Sequence, residues 1–183
     1  PPTVTQPGDP IIASSSNSPG SEGAANAIDN TQAKYLNFDQ RTPNNPPSGF
    51  AVTPSIGASL VTGIAITSAN DAPERDPSTF VLEGSNDVGL DYNTNNWTFI
   101  VGYTNIPAFA NRFETQTFLF DNYTPYKNYR WVCIAVATPN GCCMQVAEVS
   151  ILGSSAPKDV TQPGDPIVAS SSNSPGSEGA ANA

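Results

Sequence analysis

Residues able to do chemistry are few in this chain, and their types narrow what it can do. It has no histidine, so neither a Ser-His-Asp nor a Cys-His nucleophile can be assembled. Its carboxylates are scattered, with no spacing that marks an acid/base pair. No glycine-rich loop follows a strand and opens a helix to cradle phosphate. The expectation is a protein that is not an enzyme. The densest polar cluster is Asp71, Glu74, Arg75 and Asp76. Arg75 and these acids can clamp sugar hydroxyls, or Arg75 can tie two loops together through the carboxylates; the tie is preferred. Tyr35, Tyr92 and Tyr103 can stack on sugar rings or pack in the core and at its rim.

The three cysteines are Cys133, Cys142 and Cys143. Cys133 lies in an apolar run, Tyr129–Ala137, and the vicinal pair follows the turn Thr138-Pro139-Asn140-Gly141. A hairpin here brings Cys133 near Cys142 or Cys143, giving one disulfide and one leftover thiol that can cross-link to a neighbour. Three reduced thiols are the alternative. Three Cys without His make a poor zinc site. Asn96 and Asn122 begin N-x-Thr glycosylation patterns, and Asn140 begins the rarer N-x-Cys form.

The elements that must position these groups read as short strands. Charged residues make up 13 %, while 18 Pro and 14 Gly punctuate the chain. That profile suits an extracellular or cell-surface, all-β, turn-rich fold. Strands are expected at 11–15, 49–53, 60–67, 79–83, 97–101, 116–120, 129–137 and 144–152. Gly/Pro/Asn turns separate them, and no run keeps a helical period. This predicts an antiparallel β-sandwich with very little helix. No stretch approaches the ~20 apolar residues of a membrane helix, so membrane insertion is not expected.

The chain also repeats itself. Residues 1–27 and 157–183 align at an offset of 156 with 24 of 27 positions identical, differing at Pro2/Lys158, Thr3/Asp159 and Ile12/Val168. A period this long marks a self-sufficient domain in an array. The expected organisation is a linker at 1–10, a sandwich at 11–152, a Pro-rich linker at 153–166 and the start of a further copy at 167–183. Over one period, 4–159, there are 7 Lys+Arg and 14 Asp+Glu, a net charge of −7. Such a surface repels a phosphate backbone, so nucleic acid is not an expected partner.

In order along the body stand Ala27-Ile28-Asp29-Asn30, Lys34-Tyr35-Leu36-Asn37-Phe38, Gly49-Phe50-Ala51-Val52-Thr53-Pro54, Thr67 through Pro77 (TSANDAPERDP), Leu82-Glu83-Gly84-Ser85-Asn86-Asp87, Trp97, Tyr129-Arg130, and Met144-Gln145-Val146-Ala147-Glu148-Val149. Together these resemble the galactose-binding-like family, the discoidin or F5/8 type C jelly rolls that include many carbohydrate-binding modules. The resemblance implies an eight-stranded jelly roll with its ligand loops at one end. It also implies a structural calcium ion held by Asp29 and Glu148 with carbonyls of Asn26, Thr31 and Ala147, an oxygen set that suits calcium. The alternative is that Asp29 caps a turn and Glu148 bonds backbone.

The expected function is a non-catalytic structural or adhesive repeat, assembling with neighbouring copies of itself into a stalk or filament. A calcium-supported carbohydrate-binding module, with glycans as partners, is the alternative.

Overall fold

The expected sandwich forms, and its strands follow the alternating and β-branched runs. The computed structural model describes residues 1–40, 47–138 and 142–157. Ten strands follow in order: β1 (Ile11–Ala13), β2 (Tyr35–Asn37), β3 (Gly49–Val52), β4 (Ser59–Thr67), β5 (Pro77–Ser85), β6 (Thr98–Thr104), β7 (Thr115–Leu119), β8 (Asn128–Val136), β9 (Met144–Val146) and β10 (Glu148–Ser155). The only helical pieces among the described residues are 3-10 turns at Ala24–Ile28 and Pro73–Arg75. One sheet has the order β1-β3-β8-β5-β6, the facing sheet β10-β4-β7, and β2 pairs with β9. Every pairing is antiparallel.

Between the sheets lie Trp131, Tyr129, Phe50, Phe80, Leu82, Ile64, Ile66 and Ile151, all fully buried. Each such side chain contributes about 1.5–3 kcal/mol of transfer free energy. Phe80 organises an aromatic group, with Phe118 edge-on at 5.3 Å and Tyr103 at 5.4 Å. No helix among the described residues is long and apolar enough to cross a membrane.

Three expectations change. The single strand at 144–152 is two, β9 and β10, separated at Ala147, because the chain leaves a pairing with β2 and enters one with β4. The body extends past 152: β10 continues to Ser155, and a register shift at Leu152/Gly153 accommodates it. Gly153 is required there, since a Cβ would lie 2.2 Å from the Leu60 carbonyl oxygen. Residues 1–10 are no linker. Thr3 bridges Leu152, Val4 N–H donates to Ile151 O at 2.8 Å, and Val4 joins the core at 1 % exposure. The second copy, from Lys158 onward, lies outside the described residues.

The register defines two poles. Glu148 faces Thr67 at one end of β10 and Ser155 faces Ser59 at the other, about 23 Å apart at a strand's rise. The connections 28–34, 68–76 and 105–114 gather at the Glu148 pole. The turns 53–58, 86–97 and 120–127, and the point where the chain enters beside Gly153, gather at the other.

Candidate functional site

The loop pole is built around ion pairs. Asp76, buried just before β5, accepts a two-pronged bond from Arg112, at 2.9 Å from Nη1 and 2.6 Å from Nη2. Burial pushes the Asp76 carboxyl up, and the Arg112 fork offsets part of that rise. Arg112 Nη1 also donates to the Asp71 carbonyl. Gln145, fully buried on β9, donates to the carbonyls of Asp71 and Ala72. Held from both sides, Ala72 takes φ +44°, a left-handed conformation that costs a side-chain-bearing residue free energy. Lys34 donates to both Asp71 oxygens, at 3.0 and 3.2 Å, and lies 3.8 Å from Glu22. Partial burial works against the Asp71 charge, but the bond and charge of Lys34 outweigh it and hold the carboxyl below its ordinary value.

The 111–114 turn is stapled to the same region. Ser68 Oγ donates to Asn111 O and accepts from Glu114 N–H, and Glu114 caps the Asn111 N–H. With Arg112 and Glu114 both anchored, Phe113 between them is left-handed at φ +59°. Phe113 lines an open depression of about 410 Å³ with Ser21, Glu22, Gln32, Ala33, Lys34 and Asn70. Donors, acceptors and one aromatic face around a shallow hollow can hydrogen-bond hydroxyls while packing against a ring. A second hollow of about 400 Å³, lined by Pro73, Asp76, Pro77, Ile106, Pro107 and Phe109 among others, is more apolar.

The sequence-derived residues divide accordingly. Asp71 sits on the rim, paired with Lys34, and Glu74 is exposed. Among the described residues Arg75 ties no loops: its Nε faces the carboxylate of its neighbour Glu74 at 4.0 Å and is buried without a hydrogen bond. Arg112 makes that tie instead. Asp76 is buried and committed to Arg112. Tyr35 is fully buried and donates to Gly49 O, so it cannot stack on a sugar. Tyr92 is buried as well, while Tyr103 packs on Phe80 and Phe118. Arg112, Phe113 and Glu22, which the structure brings to this pole, are not singled out by the sequence. With only seven Lys and Arg in the chain, asking which carboxylate each cation serves was the available signal.

Asp29 and Glu148 do come together. Asp29 Oδ1 accepts from Thr31 N–H at 2.8 Å, and Glu148 Oε2 accepts from Asn30 N–H at 3.0 Å. Both backbone contacts of the non-metal alternative are thus present. Glu148 Oε1 is nevertheless buried with no partner, and burial, reinforced by the Asp29 charge, raises this carboxyl to about 7. A buried anionic oxygen with nothing to bond fits a hard cation. Asn26 turns its amide nitrogen to the Ser21 and Lys34 carbonyls, and Ala147 N–H donates to Thr67 O. Among the described residues no three His, Cys, Asp or Glu side chains converge on a metal position, so backbone carbonyls would complete the shell.

The expected cysteine pairing is overturned. Cys142 bonds to Cys143, and Cys133 is free. The hairpin premise fails because β8 lies between β3 and β5, whereas β9 pairs with β2. Cys133 points into the core, and burial pushes its thiol up. The glycosylation candidates are both engaged: Asn96 Nδ2 donates to Asp87, and Asn122 Nδ2 donates to the Val61 and Thr124 carbonyls. Asn140 lies outside the described residues.

No family model matches the chain, and no curated protein does. Solved structures match at the level of fold. CpGH89CBM32-5 from Clostridium perfringens, in complex with GalNAc-β-1,3-galactose, is 15 % identical with a TM-score of 0.63, covering 83 % of this chain and 100 % of that one. A chitosan-binding module from the chitosanase/glucanase of Paenibacillus sp. IK-5 is 16 % identical with a TM-score of 0.60, covering 82 % and 98 %. A Streptococcus pneumoniae fucose-binding module is 14 % identical with a TM-score of 0.57, covering 83 % and 95 %. The chain therefore has the galactose-binding-like jelly-roll fold, as the sequence resemblance implied.

Proposed function

We propose that this domain is a secreted, non-catalytic carbohydrate-binding module, and that it binds a sugar in the depression between Phe113 and Lys34. The observation that carries this reading is the hollow itself: Glu22, Gln32, Lys34 and Asn70 line it together with Phe113, whose backbone the fold holds in a left-handed conformation. The sugars bound by the structural neighbours support it. Those neighbours favour this reading over a purely structural repeat.

Calcium belongs to the same proposal. Asp29 and Glu148 hold the ion, with carbonyls of Asn26, Thr31 and Ala147, and its charge removes the cost of ionising Glu148. Bound there, it fixes the 28–34 connection against β10 and so fixes Lys34.

A glycan array probed with and without calcium tests both parts. Binding to a defined set of glycans, reduced by Phe113→Ala and Lys34→Ala, is expected. No binding to any glycan, or binding indifferent to both substitutions, would sink the assignment.

A further inference from the structure

The surplus copy of residues 1–27 becomes informative once the first copy is seen in place. Residues 2–13 close one flank of the sandwich. Thr3 and Val4 pair with β10, with Gly153 N–H donating to Pro2 O and Ile151 N–H reaching Thr5 Oγ1. Asp9 is buried and accepts from Gln6 and Ser55 N–H groups. β1 then pairs with β3. One segment thus covers the free edge of both sheets, edges that would otherwise offer unpaired backbone groups.

The copy keeps every side chain this docking reads. Val160, Thr161, Gln162, Asp165, Ile167 and Ala169 repeat Val4, Thr5, Gln6, Asp9, Ile11 and Ala13. All three differences fall where docking reads backbone only. Pro2 and Thr3 contribute main-chain contacts, and Ile12 points outward at 41 % exposure.

We propose that residues 160–169 are a docking strand that can exchange with residues 4–13 of a second copy of this body and take the seat those residues hold here. The mode is strand addition, with backbone bonds supplying affinity and Val160, Asp165 and Ile167 supplying register. The second body must also lie close. Only Ser154, Ser155 and Ala156 separate Gly153 from Pro157, the counterpart of Pro1, a span of at most about 14 Å. Adjacent bodies therefore abut at their terminal poles, and their loop poles face away from the junction.

The test opens the flank in the full chain with Val4→Asp, which places a charge in the core. Sedimentation velocity should then show species larger than the monomer that grow with concentration, and Val4→Asp with Val160→Asp should return the chain to a monomer. A Val4→Asp chain that stays monomeric at every concentration overturns the proposal, whether the copy folds back on its own body or docks nowhere. Oligomers that survive the double substitution overturn it too. Where Val4→Asp impairs folding, a synthetic peptide of residues 157–171 is added to the double variant. One-to-one binding that restores the thermal transition, weakened at least tenfold by Val160→Asp in the peptide, is expected; absence of rescue overturns the proposal.

Discussion

The two poles of the sandwich handle left-handed backbone in opposite ways. At the terminal pole such positions fall to glycine: Gly8, Gly57 and Gly89 have φ between +84° and +89°. At the loop pole they fall to Asn30, Ala72, Asn105 and Phe113. Asparagine tolerates this conformation, whereas Ala and Phe are strained in it. Glycine is the low-energy solution wherever only a turn is needed. Strain kept at one pole marks it as the place where side-chain position matters more than stability. The loop pole also holds the Asp76–Arg112 and Lys34–Asp71 ion pairs and the unpartnered Glu148 oxygen, while the terminal pole is closed by backbone pairing, Val4 and the buried Asp9, with the Glu83–Arg130 pair against its 86–97 turn.

The largest effect separating the poles should come from Arg112→Ala. It leaves Asp76 buried and uncompensated, with an expected loss of about 3 kcal/mol in urea unfolding, accompanied by weaker glycan binding. Arg112→Lys should recover only part, since it lacks the fork. At the other pole, Val4→Ala should cost about 1–2 kcal/mol and leave glycan affinity unchanged. Loss of affinity there would break the separation of the poles.

The pH response comes next. Glu148 ionises at about 7 in the fold against an ordinary 4.5, so its protonated form is favoured by folding. That contribution is complete below the ordinary value and is lost as pH rises through about 7. With calcium chelated, the melting temperature should be a few degrees lower at pH 8 than the same protein carrying Glu148→Gln. Added calcium should raise it at pH 8 and do little at pH 5, as followed by scanning calorimetry.

Phe113→Gly should divide function from stability. Relief of the left-handed strain should stabilise the fold by about 0.5–1 kcal/mol, while loss of the ring lowers glycan affinity roughly tenfold. A variant that loses both would assign Phe113 to packing. The smallest change should follow reduction of Cys142–Cys143. The bond joins adjacent residues and restricts little of the unfolded chain, so the expected loss is below about 1 kcal/mol.

The sandwich was legible in the sequence because alternation, β-branching and turn residues agree along most of it. The short strand β2 was not. Its three residues, Tyr35, Leu36 and Asn37, are all buried, so no alternation betrays them, and the strand exists only because β9 is there to pair with it. Residues 1–10 misled through their prolines, which read as a linker. Proline is tolerated at a sheet edge where its missing donor is not needed, and only the register showed Val4 beside Ile151. Asp71, Asp29 and Glu148 do lie at the loop pole, and short motifs carry them in the sequence. Arg112 and Phe113 are not so marked, because their roles arise from anchoring to Ser68 and Asp76, more than thirty residues away. The cysteine pairing failed for the same reason: it assumed that neighbours in sequence are neighbours in the sheet.

The chain enters beside Gly153 and stays bonded to the body through Ala156, whose N–H donates to Ala58 O, on adjacent antiparallel segments. Tension applied at these two points therefore loads their hydrogen bonds one after another, as in opening a zipper, instead of all at once in shear. The flank formed by residues 2–13 should peel at low force while Trp131 and its surroundings remain packed. The peeled flank should close again when the load is released. In force spectroscopy this should appear as a short, reversible extension ahead of the main unfolding event.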